Sequence, residues 1–179
     1  QVLLSIFDEN HFRPMEASDN RNWCGGTGDM IAVDWKGDIY PCLRYMESSL
    51  GGQVEPMVIG TVDGGVQVTP EQIQRVECLK CVTRRSQSED ACWSCPIAGG
   101  CAWCSAYNYQ VFGTPDKRAT FICVMHRARA LANVYFWNRY YQAMGLGKHF
   151  PNHVPREWAL ELVGEAELAR LEELARGEM

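Results

Sequence analysis

Six of the nine cysteines in this 179-residue chain fall between residues 78 and 104, as three Cys-x-x-Cys pairs: Cys78 and Cys81, Cys92 and Cys95, Cys101 and Cys104. Cys24 and Cys42 lie upstream, and Cys123 stands alone downstream. Thiolates crowded in this way repel one another unless a cation neutralises them, so the pattern calls for zinc or an iron–sulfur centre. Disulfides do not account for it. The count is odd, and the apolar opening Val2-Leu3-Leu4-Ser5-Ile6-Phe7 lacks the basic flank of a signal peptide. A cytoplasmic chain with reduced thiols is expected.

The rest of the composition narrows the class. With 46% hydrophobic and 22% charged residues, the chain has the make-up of a globular protein with no membrane span. A net charge of −5 and the lack of a long basic cluster argue against nucleic acid as the partner. The sequence begins at Gln1 rather than Met and reads as the interior of a longer chain whose N-terminal part is missing.

Local pattern gives an α+β expectation: a small cysteine-rich, cluster-binding domain with a β-hairpin, irregular cysteine loops and C-terminal helices. Residues 2–7 read as a short buried strand, followed by a polar loop to Asn22. The apolar runs Met30-Ile31-Ala32-Val33 and Ile39-Tyr40, joined through Gly37, form a hairpin that brings Cys24 and Cys42 to one end. Residues 48–67 read as irregular, with a short strand at Val58-Ile59. Thr69-Pro70-Glu71-Gln72 is a capping box with Pro at the first helical position, and it puts Cys78 and Cys81 one turn apart near the helix end. A short helix is expected over residues 102–112, ended by Gly113. Thr114-Pro115-Asp116 reads as the cap of a long helix running to about Met144, with Cys123 in its second turn. Residues 152–155 link to a final leucine-rich helix opening at Pro155.

The segment Cys92-Trp-Ser-Cys95-Pro-Ile-Ala-Gly-Gly-Cys101-Ala-Trp-Cys104 carries the sharpest chemistry. A Cys-x-x-Cys turn faces two thiolates toward one centre, and Gly99 and Gly100 let the chain double back so that Cys101 reaches it. A remote cysteine commonly closes a four-iron cubane, and Cys123 suits that role. The alternative is a zinc-ribbon-like binding module, because Cys-x-x-Cys pairs also make tetrahedral zinc sites.

The order Cys24-x12-Gly37-x4-Cys42, then Cys92-x2-Cys95-x5-Cys101, then Cys104, then Cys123 resembles the SPASM domain. That domain is the C-terminal extension of many radical S-adenosylmethionine enzymes that modify ribosomally made peptides. The likeness covers residues 24–123, and the stretch from Phe112 to Asn138 is similar to maturases that install thioether cross-links in cysteine-repeat precursors. The resemblance implies two auxiliary 4Fe–4S clusters. The first is held by Cys24, Cys42 and Cys104, with Cys78 or Cys81 as fourth ligand or an open iron in its place. The second is held by Cys92, Cys95, Cys101 and Cys123. Zinc is a substitute in protein that has lost its iron. Two residues rather than the family's three separate Cys101 from Cys104, and Ser105 stands where the family cysteine falls. The implied organisation is a barrel end and linker at 1–22, a twin-cluster domain at 23–145, and a linker and helix at 146–179. The implied partners are a precursor peptide and the radical-initiating barrel. No Cys-x3-Cys-x2-Cys motif occurs here, so S-adenosylmethionine belongs to that missing part and no catalytic residue is assigned to this chain.

Other features read more plainly. Gly25-Gly26-Thr27-Gly28 is a tight turn whose amides approach cluster sulfurs rather than a phosphate cradle. His149 and His153 are surface residues, and His126 is an ordinary helix residue. Arg84, Arg85, Arg118, Arg127 and Arg129 read as a solvated face. Trp93 and Trp103 shield the clusters, and the band from Tyr135 to Tyr141 is core or an interface.

Overall fold

The computed structural model describes residues 12–22, 24–101 and 104–177; the strand expected over residues 2–7 and the shielding role of Trp103 lie outside them. In chain order the elements are β1 (Ala32–Val33), β2 (Asp38–Tyr40), α1 (Glu47–Leu50), β3 (Gly60–Thr61), β4 (Gly65–Val66), α2 (Pro70–Lys80) and α3 (Arg84–Gln87). They continue with α4 (Asp90–Trp93), α5 (Ser105–Phe112), α6 (Cys123–Ala143) and α7 (Arg156–Arg176), with short 3₁₀ turns between. The fold is therefore α+β, with one four-stranded antiparallel sheet in the order β1-β2-β3-β4. Among the described residues no helix is long and apolar enough to cross a membrane. The chain divides into two compact units.

The hairpin unit comprises residues 17–89 and 103–119. Its hairpin pairs Ala32 with Tyr40 and Val33 with Ile39, and Gly37 takes the positive φ of +85° that the turn needs. Asp34 holds that turn: Oδ1 accepts the amides of Lys36 (2.9 Å) and Asp38 (3.0 Å), and Oδ2 accepts the Tyr40 hydroxyl (3.0 Å). The sheet extends beyond the hairpin because Gly60 lets β4 approach. A Cβ there would lie 2.7 Å from the Val66 Cα, so any other residue would push the strands apart. The expected strand at Val58-Ile59 is displaced to Gly60–Thr61, although the Ile59 amide still bonds the Ile39 carbonyl at 2.8 Å.

Helix α2 begins as its sequence dictates. The Thr69 hydroxyl accepts the Gln72 amide at 3.2 Å, and the Gln72 side chain accepts the Thr69 amide at 3.1 Å. Such a cap contributes about 1 kcal/mol. Val76 and Leu79 face inward and join Ile39, Tyr40, Tyr45, Met57, Ile59 and Ala106 in the core of this unit. Each large apolar side chain buried there contributes roughly 1.5–3 kcal/mol.

The helical unit comprises residues 1–16, 90–102 and 120–179. Its main contact is α6 against α7, over a core of Ala130, Leu131, Ala159, Leu168 and Leu171 together with Phe12 and Ile97. Helix α7 is kinked at Gly164, whose φ of 75° and ψ of 171° are non-helical. Beyond α6, Asn138 ties down the return loop: its side chain accepts the Phe150 amide (2.8 Å) and donates to the Phe150 carbonyl (2.9 Å).

Helix α6 starts at Cys123, not at the expected Thr114-Pro115-Asp116 cap. The reason lies in competing hydrogen bonds within the hairpin unit. The Arg118 amide bonds the Gln87 carbonyl (3.0 Å), the Ala119 amide bonds Asn108 Oδ1 (3.2 Å), and the Pro115 carbonyl accepts the Gln87 side chain (2.7 Å). Asp116 spends its carboxylate on the Ser86 hydroxyl. A segment whose polar groups are already taken does not need the helix to satisfy them. Cys123 consequently sits in the first turn rather than the second. The short helix before Gly113 forms as expected but starts at Ser105, and Gly113 closes it with a φ of 70°.

Candidate metal centres

In the hairpin unit, three of the cysteines lie at the mouths of short helical segments. Cys24 precedes the 3₁₀ turn Gly25–Thr27, Cys42 precedes the turn Leu43–Tyr45, and Cys104 precedes α5. These segments pack on one another, which brings the three half-buried thiols within electrostatic reach. The Cys104 sulfur accepts the Tyr107 amide at 3.4 Å. Burial pushes the Cys42 thiol up; the amides of Arg44 and Tyr45 draw it back, and repulsion from Cys24 and Cys104 adds to the rise. Left alone, Cys42 resists becoming a thiolate. A cation among the three sulfurs reverses that balance.

Gly26 packs directly against these sulfurs. A Cβ on it would lie 3.2 Å from the Cys42 Sγ and 3.5 Å from the Cys24 Sγ. The turn Gly25–Thr27 thus lies against two cysteine sulfurs. Beneath the thiols, Tyr45 and Ser105 are fully buried, and neither hydroxyl has a hydrogen-bond partner. The Ser105 hydroxyl stands near the Tyr45 phenol without ordinary hydrogen-bond geometry, and burial, with the three neighbouring thiols adding, pushes the phenol well above the usual tyrosine range. Soft donors, a glycine cradle and two idle buried donors fit a sulfur-rich inorganic centre.

Cys78 and Cys81 belong to the same unit but are exposed. Cys81 closes α2 with its amide bonded to the Glu77 carbonyl. The end of α2 lies on the 25–27 turn, where the Lys80 side chain would meet a Cβ on Gly28 at 3.1 Å.

Cys92, Cys95, Cys101 and Cys123 all fall in the helical unit. Cys92 lies in α4, and the amide of Cys95 turns back to its carbonyl at 3.4 Å. The Ala98 amide then bonds the Cys95 carbonyl (3.0 Å), and the Cys101 amide bonds the Ala98 carbonyl (3.2 Å). Two successive turns therefore fold the segment back on itself through Gly99 and Gly100. Gly100 is required here, because a Cβ would lie 2.6 Å from the Phe12 ring. Cys95 packs on the core beside Ile97, and Cys123 opens α6. Among the described residues no disulfide joins the cysteines. Among the described residues no three His, Cys, Asp or Glu side chains stand at the spacing of a single-ion site. A cubane is held differently, one thiolate to each of four irons.

Several other residues differ from expectation. Arg84 is buried, Arg127 lies over the Trp158 ring at 3.8 Å, and Arg129 lies over Phe12 at 5.5 Å, so none of the three is a fully solvated side chain. His149 is exposed and His126 lies in α6, both as expected, with His126 turned to the interior. Tyr45 carried no signal in the sequence, because its inward rotation follows from the turn after Cys42. No family model, no curated protein and no solved structure matches this chain.

Proposed function

We propose that this chain is the auxiliary iron–sulfur portion of a radical S-adenosylmethionine enzyme that modifies ribosomally made peptides. One 4Fe–4S cluster is held by Cys24, Cys42 and Cys104 with Cys78 or Cys81, and the other by Cys92, Cys95, Cys101 and Cys123. The observation that carries this reading is the partition of the cysteines between the two units. Cys104 follows Cys101 by three positions, yet it groups with Cys24 and Cys42, whereas the more distant Cys123 shares a unit with Cys92, Cys95 and Cys101. That is the sorting the SPASM resemblance implies, and nearness in sequence alone gives a different one.

Bound clusters would supply sites that take up or release a single electron. The chain's own residues hold and enclose them: thiols as ligands, the Tyr107 amide bonded to the Cys104 sulfur, and Gly26 leaving room beside Cys24 and Cys42. Joining a substrate radical to a thiolate to make a thioether leaves one electron to be removed, and receiving it is the role proposed for this domain. Radical initiation and S-adenosylmethionine binding belong to a barrel outside this chain, the substrate is a precursor peptide, and the reduced thiols suit the cytoplasm.

Paired substitutions test the assignment. Cys92→Ala with Cys95→Ala is expected to halve the iron of anaerobically reconstituted protein, and Cys24→Ala with Cys42→Ala to remove the other half. If either pair empties both sites while circular dichroism shows the fold intact, the two-set assignment is wrong.

A further inference from the structure

The deepest polar group of the hairpin unit is the phenol of Tyr45. Its side chain is 0% exposed, its ring packs on Tyr109 at 5.7 Å between centroids, and its hydroxyl has no hydrogen-bond partner. Ser105, the residue after Cys104, is 1% exposed, and its hydroxyl likewise has no well-formed hydrogen bond. Burying a hydroxyl without a partner is unfavourable, and native interiors rarely keep two side by side. Both sit where Cys24, Cys42 and Cys104 converge: all three sulfurs act electrostatically on the phenol, and Ser105 lies beside it. The two hydroxyls lie close enough to interact with each other, which can satisfy one donor and leaves the second without an acceptor among the apolar side chains of this core. The acceptors that remain are the sulfurs of whatever the three thiols bind.

We propose that Tyr45 and Ser105 are positioning residues that donate hydrogen bonds to the sulfur atoms of the metal centre held by Cys24, Cys42 and Cys104, and so raise its reduction potential. This rests on the cluster reading above. Reduction adds one negative charge to the centre, a hydrogen-bond donor stabilises that charge, and burial strengthens the effect by excluding water. Ser105 thereby gains a role at the position where the family pattern has cysteine: it is a donor to sulfur rather than a ligand.

The test uses the full chain carrying Cys92→Ala and Cys95→Ala, so that only this centre is observed, with dithionite as electron donor and paramagnetic resonance as readout. Tyr45→Phe is expected to retain the iron and sulfide of its parent and to shift the midpoint to more negative potential. The expected shift is on the order of a tenfold change in the oxidised-to-reduced ratio at a fixed potential, ~59 mV for one electron. Ser105→Ala is expected to shift it the same way, with Ser105→Thr restoring most of the loss. Unchanged midpoints in loaded Tyr45→Phe and Ser105→Ala proteins overturn the proposal. Should neither variant load, the metal-free proteins decide it: Tyr45→Phe is expected to melt higher than its parent because it loses an orphaned hydroxyl, and an equal or lower melting temperature overturns the proposal. If the parent itself takes up no iron and sulfide, the cluster reading fails first, a result distinct from an unmoved potential.

Discussion

Gly26 stands so close to Cys42 that a Cβ on the glycine would lie 3.2 Å from the cysteine sulfur. The same carbon would lie 3.5 Å from the Cys24 sulfur, so one methyl group would crowd two of the three converging thiols. Gly26 does not have a positive φ, and its backbone accepts alanine without strain. Gly26→Ala is therefore expected to leave folding stability within about 1 kcal/mol of the parent. It is expected to cut the iron bound by the hairpin unit to less than half, read by metal analysis after reconstitution. Undiminished iron would mean that the cradle beside Gly26 is not where the centre sits.

The hairpin has two pH limits, and both follow from the bond between Asp34 and Tyr40. Burial pushes the Asp34 carboxyl up, but the Tyr40 hydroxyl and the amides of Asp38 and Lys36 outweigh it, and the net shift is below the ordinary value of 3.8. Its stabilisation is present above pH 3.8 and is lost as the pH falls through the lowered folded value. Tyr40 moves the other way: burial first, then the Asp34 carboxylate, push its phenol from 10.0 to about 12. That contribution is complete below pH 10.0 and is lost as the pH rises toward 12. An ultraviolet tyrosinate titration of folded protein is expected to show a late step near pH 12 that Tyr40→Phe abolishes. The buried Tyr45 phenol titrates later still, so an undiminished step near pH 12 in the variant would assign that step elsewhere.

The legible parts of this fold were those fixed by neighbouring residues. The Thr69–Gln72 capping box, the Gly37 hairpin and the Gly113 stop each depend on a few consecutive side chains, and each forms as the residues dictate. The start of α6 was not legible, because Thr114-Pro115-Asp116 is a good cap by itself. What defeats it is a set of hydrogen bonds from Gln87, Asn108 and Ser86, none of them a near neighbour in sequence. The same distinction runs through the candidate site. The turn chemistry around Cys92, Cys95 and Cys101 could be read from glycine placement. The buried pairing of Tyr45 with Ser105 could not, because it depends on two segments sixty residues apart meeting in one core.

Asn138 is the polar staple of the helical unit. Its amide both donates to the Phe150 carbonyl and accepts the Phe150 amide, and it also donates to the Val134 carbonyl. Asn138→Leu removes these bonds and leaves two buried backbone groups of Phe150 without their partner. The expected loss is roughly 2–4 kcal/mol, since each orphaned group costs about 1–3 kcal/mol. Urea unfolding followed by tryptophan fluorescence measures it, with Trp137 in the same cluster as reporter. A loss under about 0.5 kcal/mol would mean that water replaces the amide at little cost.

Whether the cysteines hold two four-iron clusters is read from the iron, acid-labile sulfide and zinc content of the anaerobically prepared chain. Two 4Fe–4S centres give brown protein with about eight irons and about eight sulfides per chain. Colourless protein carrying zinc and no sulfide would contradict the two-cluster assignment and favour a zinc-binding module.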